Sequence, residues 1–167
     1  MQSEPGQIGL DQTKVQNYMQ RRRGEQSMPL ALMGGVAAAL VGAVIWAMVT
    51  HTTGYQIGWM AVGVGFLVGY AVAFLGKGTE RPYQYVGAAC ALLGCLLGNF
   101  FAVAGGLAAD VHLDVLTVIS RITPDMAAKL MQDAFSPMDL LFYAIAVYEG
   151  FRFSLKRITP AELATLQ

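Results

Sequence analysis

The sequence predicts an all-α membrane protein. It has four transmembrane helices, both termini on the cytoplasmic side, and an outer amphipathic segment between the third and fourth helices. Three observations lead there. Four apolar segments divide the chain, lysine and arginine are sorted to one side of them, and glycine recurs along single helix faces within them. Hydrophobic residues make up 55% of the 167 and charged residues only 13%, against about 25% charged in a soluble domain. Formal net charge is +0, which offers no global basic field to nucleic acid.

Residues 1–28 form a polar cytoplasmic N-terminal segment; residues 1–24 of it are expected to be mostly mobile, with a turn or two of helix around Gln12 to Gln20. Residues 29–156 form the transmembrane domain. Its spans are expected at about 30–50, 57–75, 85–104 and 138–155. The first three match the roughly 20 apolar residues needed to cross the hydrocarbon core. The fourth is shorter and carries Asp139, Glu149 and Arg152, with charges near the ends of the helix that can snorkel to the interface. Residues 157–167 form a cytoplasmic tail, in which "TPAE" at Thr159 to Glu162 signals another short helix.

Charge orients the chain. Lys14, Arg21, Arg22, Arg23, Lys77, Arg81, Arg152, Lys156 and Arg157 fall on one side of the spans. Arg121 and Lys129 fall on the other, beside Asp110, Asp114, Asp125, Asp133 and Asp139. Excess Lys and Arg marks the cytoplasmic side, so both termini are cytoplasmic. That requires an even number of spans and supports the fourth.

The outer amphipathic segment is expected over 106–136. Leu107, Val111, Val115, Val118, Ile119 and Ile122 fall on one helix face, opposite Asp110, Asp114, Thr117 and Arg121. "TPDM" then supplies a cap and a proline at the first helical position. "SPMD" does the same for the fourth span, with Asp139 as the acidic partner of Ser136. Asp139, Tyr143, Ala146 and Gly150 share a face, the expected bundle-facing side.

Glycine is a poor helix former in water, and its placement needs a reason. In the second span Gly58, Gly65, Gly69 and Gly76 lie within about 20° of one line at 100° per residue, while Gly63 lies elsewhere. In the third span Gly87, Gly94, Gly98 and Gly105 repeat the same spacing. The first span has the partial version, Gly35 and Gly42, interrupted by Trp46. Apolar burial does not drive helices together in lipid. Close backbone approach, dispersion and Cα–H···O contacts do, and glycine permits them. The expectation is that the second and third spans pack stripe to stripe within one subunit. The alternative is that one stripe faces another subunit. Trp59, Phe66, Tyr70 and Phe74 form a separate aromatic face on the second span, read as lipid-facing or core.

Few residues suggest chemistry. His51 and His112, both on the outer side, are weak candidates for holding a haem or a metal between helices. Asn99 is the one amide deep in a span, expected to hydrogen-bond a neighbouring helix. Glu149 and Arg152, at i and i+3, are expected to pair near the cytoplasmic interface. Cys90 and Cys95 lie about 140° apart on a helix, the spacing of packing residues rather than a redox pair. No catalytic residue, resident cofactor or metal site is expected. The sequence has no phosphate loop, HExxH or GxSxG, and "GVGFLVG" lies inside a helix rather than in a strand-to-helix turn.

"GAVIWAMVTHTTGYQIGWMAVGVGFLVGYAV" and the later "SPMDLLFYAIAVYEGFRFS" resemble small four-span bacterial inner-membrane proteins of unassigned function. The resemblance covers about residues 30–155. It implies a compact helical bundle in the bacterial inner membrane and no catalytic residues. The functional expectation is a non-catalytic membrane protein in contact with the lipid bilayer. It would be an accessory or assembly subunit of a larger membrane complex, or a homo-oligomer. Ranked below it are a small transporter or channel subunit, with Asn99 and the glycine faces lining a path, and a redox protein with haem between His51 and His112.

Overall fold

The computed structural model describes residues 12–55, 58–156 and Glu162. Every regular element among them is a helix. These are α1 (Gln12–Glu25), α2 (Met28–Thr53), α3 (Trp59–Gly76), α4 (Arg81–Asp110), α5 (Val115–Arg121), α6 (Pro124–Ala134) and α7 (Pro137–Phe153). The expected tail helix lies outside the described residues apart from Glu162.

Local chemistry sets the boundaries. Ser27 caps α2 by accepting from Leu30 N, and Gly54 ends it at φ 70, in the left-handed region that suits a residue without Cβ. Lys77 ends α3 at φ 49. Pro82 lies in the first turn of α4, where its missing N–H costs nothing. Ser136 and Asp139 form a complete capping box at the start of α7: Ser136 Oγ accepts from Met138 N at 3.3 Å, and Asp139 Oδ2 accepts from Ser136 N at 2.8 Å.

Three helices, α2, α3 and α4, are long and apolar enough to cross a membrane. At 1.5 Å per residue the 30 residues of α4 span about 45 Å, well beyond a hydrocarbon core of roughly 30 Å. The 17 residues of α7 span about 26 Å. Helices α3 and α4 make a central pair, with α2 packed on one side of it and α7 on the other. Across the pair, the rings of Trp46 and Tyr143 meet edge to face, 6.5 Å apart.

The interior is built of small residues. Ala31, Ala39, Ala61, Ala91, Cys95 and Ala146 are each 0% exposed, and Val64, Val68 and Val72 fill the gaps. Large apolar side chains point outward, among them Met33, Met48, Phe74, Leu116 and Leu140. A water-soluble bundle buries its large residues. The reverse sorting, with small residues inside and large ones outside, suits a bundle solvated by lipid.

Two expectations about the elements need correction. The N-terminal segment forms a 14-residue helix, α1, rather than a turn or two. The amphipathic segment is not one helix. Helix α4 continues through Leu107 to Asp110, and the chain then turns at His112, which has φ 54. Asp114 starts α5 afresh by accepting from Leu116 N at 3.0 Å, and Thr123 starts α6 by accepting from Met126 N at 3.3 Å. The periodic face from Leu107 to Ile122 is therefore divided between two helices.

Candidate functional site

The glycines show which faces of the bundle are occupied. A Cβ on Gly65 would stand 2.8 Å from Ala146 Cα, and one on Gly69 would stand 2.9 Å from Phe153 Cβ. One on Gly58 would run into the ring of Phe142. All three contacts are with α7. A Cβ on Gly76 would meet Ala31 of α2 at 2.5 Å, one on Gly94 would meet Val64 at 2.6 Å, and one on Gly98 would meet the Trp46 indole at 2.7 Å. Gly87 lies against Ser154 and the Gly150 carbonyl.

The expected stripe-to-stripe packing of the second and third spans is thus corrected. The glycines of α3 receive mainly α7, and those of α4 receive α7 at Gly87, Val64 of α3 and Ala39 of α2 at Gly94, and Trp46 of α2 at Gly98. The reason is steric: α7 offers Ala146 and Gly150, so its backbone comes as close as a glycine face allows. Gly63 and Gly105 have nothing within 4 Å of a built Cβ. Trp46, which breaks the glycine pattern of the first span, is 1% exposed, and its indole occupies the space that Gly98 leaves.

A polar cluster lies where α4 faces α7. Asn99 is 0% exposed. Its side chain interacts with the Tyr143 hydroxyl, which donates to the Cys95 carbonyl at 3.4 Å. Indole Nε1 of Trp46 and Oγ1 of Thr50, on α2, are enclosed with no hydrogen-bond partner among the described residues. Asp139, a turn before Tyr143, is 7% exposed and is held by the capping box. Asp139, Tyr143, Ala146 and Gly150 are the buried face of α7, as their spacing predicts. This cluster ties two helices together by hydrogen bonds in a low-dielectric interior. Cys90 and Cys95 are both buried free thiols.

The two histidines have different surroundings. His51 lies at the rim of an apolar groove of about 340 Å³, lined also by Val44, Met48, Phe101, Gly105 and Leu116. His112 sits in the turn after α4 and does not line that groove. Among the described residues no group of three His, Cys, Asp or Glu side chains is placed to hold a metal ion.

The expected pairing of Glu149 with Arg152 does not occur. Arg152 Nη1 donates to the Tyr148 hydroxyl at 3.2 Å, and the guanidinium lies 5.8 Å from the Tyr148 ring centroid and 5.9 Å from that of Phe153. Glu149 turns inward, its Oε2 enclosed without a hydrogen-bond partner. Flanking aromatic rings give the guanidinium a flat surface that competes with an i, i+3 carboxylate.

The basic flanks meet at one end of the bundle. Ser27 N donates to the Gly76 carbonyl at 3.0 Å, and Lys156 N to the Gly78 carbonyl at 2.9 Å. Gln26 Nε2 donates to Thr79 Oγ1 at 2.9 Å. Arg23 lies 3.7 Å from Glu80, and Lys77 3.7 Å from Glu25. Arg22, 6% exposed, pairs with Glu162 and with the Tyr18 hydroxyl. Apart from the i, i+4 contact of Arg22 with Tyr18, none of these polar contacts was legible from spacing alone, because each joins segments far apart in the chain.

Fold and composition define a class, an all-helical protein with three helices able to cross a membrane. No protein-family model, curated protein or solved structure matches the chain.

Proposed function

We propose that the chain is a multi-pass membrane protein that acts by association rather than by bond chemistry. It is an accessory or assembly subunit of a larger membrane complex, or a homo-oligomer, in a bacterial inner membrane. In this reading α7 also crosses, giving four spans with both termini in the cytoplasm. The meeting of the basic flanks at one end supports the even count.

The observation that carries the association reading is α6. This amphipathic helix has no buried residue. Leu130, Met131 and Ala134 are partly buried against the rest of the chain, while Met126 is 47% exposed. An apolar helix face left partly open around Met126 fits a partner surface.

The test is native mass spectrometry of the protein extracted in mild detergent. The expected mass exceeds one chain, and Leu130→Glu with Met126→Glu lowers it to one chain without unfolding the bundle. A bare monomer under extraction shown to preserve other membrane complexes overturns the reading. A second reading, a transporter or channel subunit, rests on the buried Asn99 and Tyr143 cluster. It predicts solute flux in liposomes that Asn99→Leu changes.

A further inference from the structure

A second groove, of about 300 Å³, opens between α3 and α7 at the basic end of the bundle. Its walls are Tyr70, Ala73, Phe74, Phe153 and Leu155, and Lys156 closes it. Phe153 is the central wall. Its ring lies 5.0 Å from that of Phe66 and 5.3 Å from that of Tyr70. Phe74 is 79% exposed and Tyr70 58% exposed, so the groove opens sideways from the bundle rather than into it.

The charges around the groove are not balanced by carboxylates of the described residues. Arg22, Arg23 and Lys77, at the same end, each pair with a glutamate. Arg152 and Lys156 have no carboxylate partner among the described residues. The Arg152 guanidinium lies outside the lining itself, 5.9 Å from the centroid of the Phe153 ring that forms one wall. Glu149, the nearest acid along α7, lies one turn deeper and makes no ion pair with Arg152. An apolar slot thus has one cation in its lining, Lys156, and a second, Arg152, beside its Phe153 wall, neither paired with a carboxylate of the described residues. At the opposite end the groove that His51 lines has neither Lys nor Arg in its lining, and a smaller one of about 130 Å³ includes Arg121.

We propose that this groove binds one anionic glycerophospholipid. An acyl chain lies along Ala73, Phe74 and Phe153, and the headgroup phosphate is held between Lys156 and Arg152. The guanidinium suits bidentate phosphate contact, and the lysine adds a point charge on a stem that reaches from the apolar wall to the headgroup. Basic pockets between membrane helices recognise lipid headgroups by this combination. The proposal rests on the bundle lying in a membrane and is independent of whether the protein has partner subunits.

The test is native mass spectrometry of the delipidated full-length chain, titrated with phosphatidylglycerol or with phosphatidylcholine. The expected result is preferential retention of one phosphatidylglycerol. Arg152→Gln and Lys156→Gln should each weaken that retention about fivefold, the effect of roughly one cation near a headgroup. Arg81→Gln, an equal loss of charge at the same end, should leave it unchanged. Ala73→Trp, which fills the slot and keeps both cations, should abolish it. Equal retention of the two lipids overturns the proposal. So does an Arg81→Gln effect as large as that of Lys156→Gln, which would mean diffuse attraction to the basic end. Unaltered binding by Ala73→Trp would show that the groove is not the site.

Discussion

Gly65 and Gly63 lie two residues apart on the same helix and meet opposite surroundings. A Cβ at Gly65 would press on the backbone of Ala146, which has no flexible end to move aside, whereas one at Gly63 meets nothing within 4 Å. Gly65→Leu is therefore expected to destabilise the bundle by about 1–3 kcal/mol through overpacking. Gly63→Ala should be neutral or stabilise by roughly 0.5–1 kcal/mol, since alanine loses less backbone freedom in a helix. Thermal unfolding of both variants in the same detergent checks this, and equal loss in both would refute the assignment of faces. Asn99 is a milder case. Replacing it with leucine removes an interhelical polar contact of about 1 kcal/mol, so its melting temperature should fall less than that of Gly65→Leu. The glycine periodicity was legible in the sequence, but its partner was not. A glycine face says that something comes close and carries no side chain to say what. The failed Glu149 and Arg152 pair has a similar cause, because i, i+3 spacing permits a salt bridge but does not weigh it against Tyr148 and Phe153.

At the level of elements, α7 covers Gly58, Gly65 and Gly69 on one central helix and Gly87 on the other, so its first turn has leverage over the bundle. Ser136→Ala removes half of its capping box and should cost about 1 kcal/mol. Measured by unfolding, the loss should exceed that of Thr123→Ala, because α6 buries no residue and its fraying is uncoupled from the core. The buried face of α7 was legible because Asp139, Tyr143, Ala146 and Gly150 repeat at helical spacing, and the "SPMD" start is strong capping chemistry. The break at His112 was hidden by the same kind of regularity. Apolar residues continue in phase from Leu107 to Ile122, although the helix stops at Asp110 and restarts at Val115. The only local sign is Asp114, a good cap placed where an uninterrupted helix has no use for one. His112→Gly should be tolerated at φ 54, whereas His112→Val should cost roughly 1 kcal/mol at a left-handed position. Equal melting temperatures for the two would argue against this turn.

For the whole molecule, small residues inside, large apolar residues outside and cations gathered at one end form a consistent arrangement. Each feature has a sequence-level cause that composition and spacing reveal: alanine and glycine on inward faces, aromatic and leucine residues on outward ones, and nine of the eleven Lys and Arg on one side of the apolar segments. What spacing does not reveal is the order of helices around the bundle, because several arrangements bury the same small faces. The structure resolves it by placing α3 and α4 at the centre, with α2 and α7 flanking them.

The four-span arrangement turns on α7, the shortest of the bundle helices. It is tested most directly by single cysteines at its two flanks, Asp133→Cys and Lys156→Cys. Cys90 and Cys95 are buried and should stay unlabelled by a membrane-impermeant maleimide. In intact cells or right-side-out vesicles, Asp133→Cys should label and Lys156→Cys should not. Inverted vesicles should reverse the pattern. Labelling of both positions from the same side would mean that α7 does not cross. That result would remove the even number of spans and, with it, the common side of the two termini.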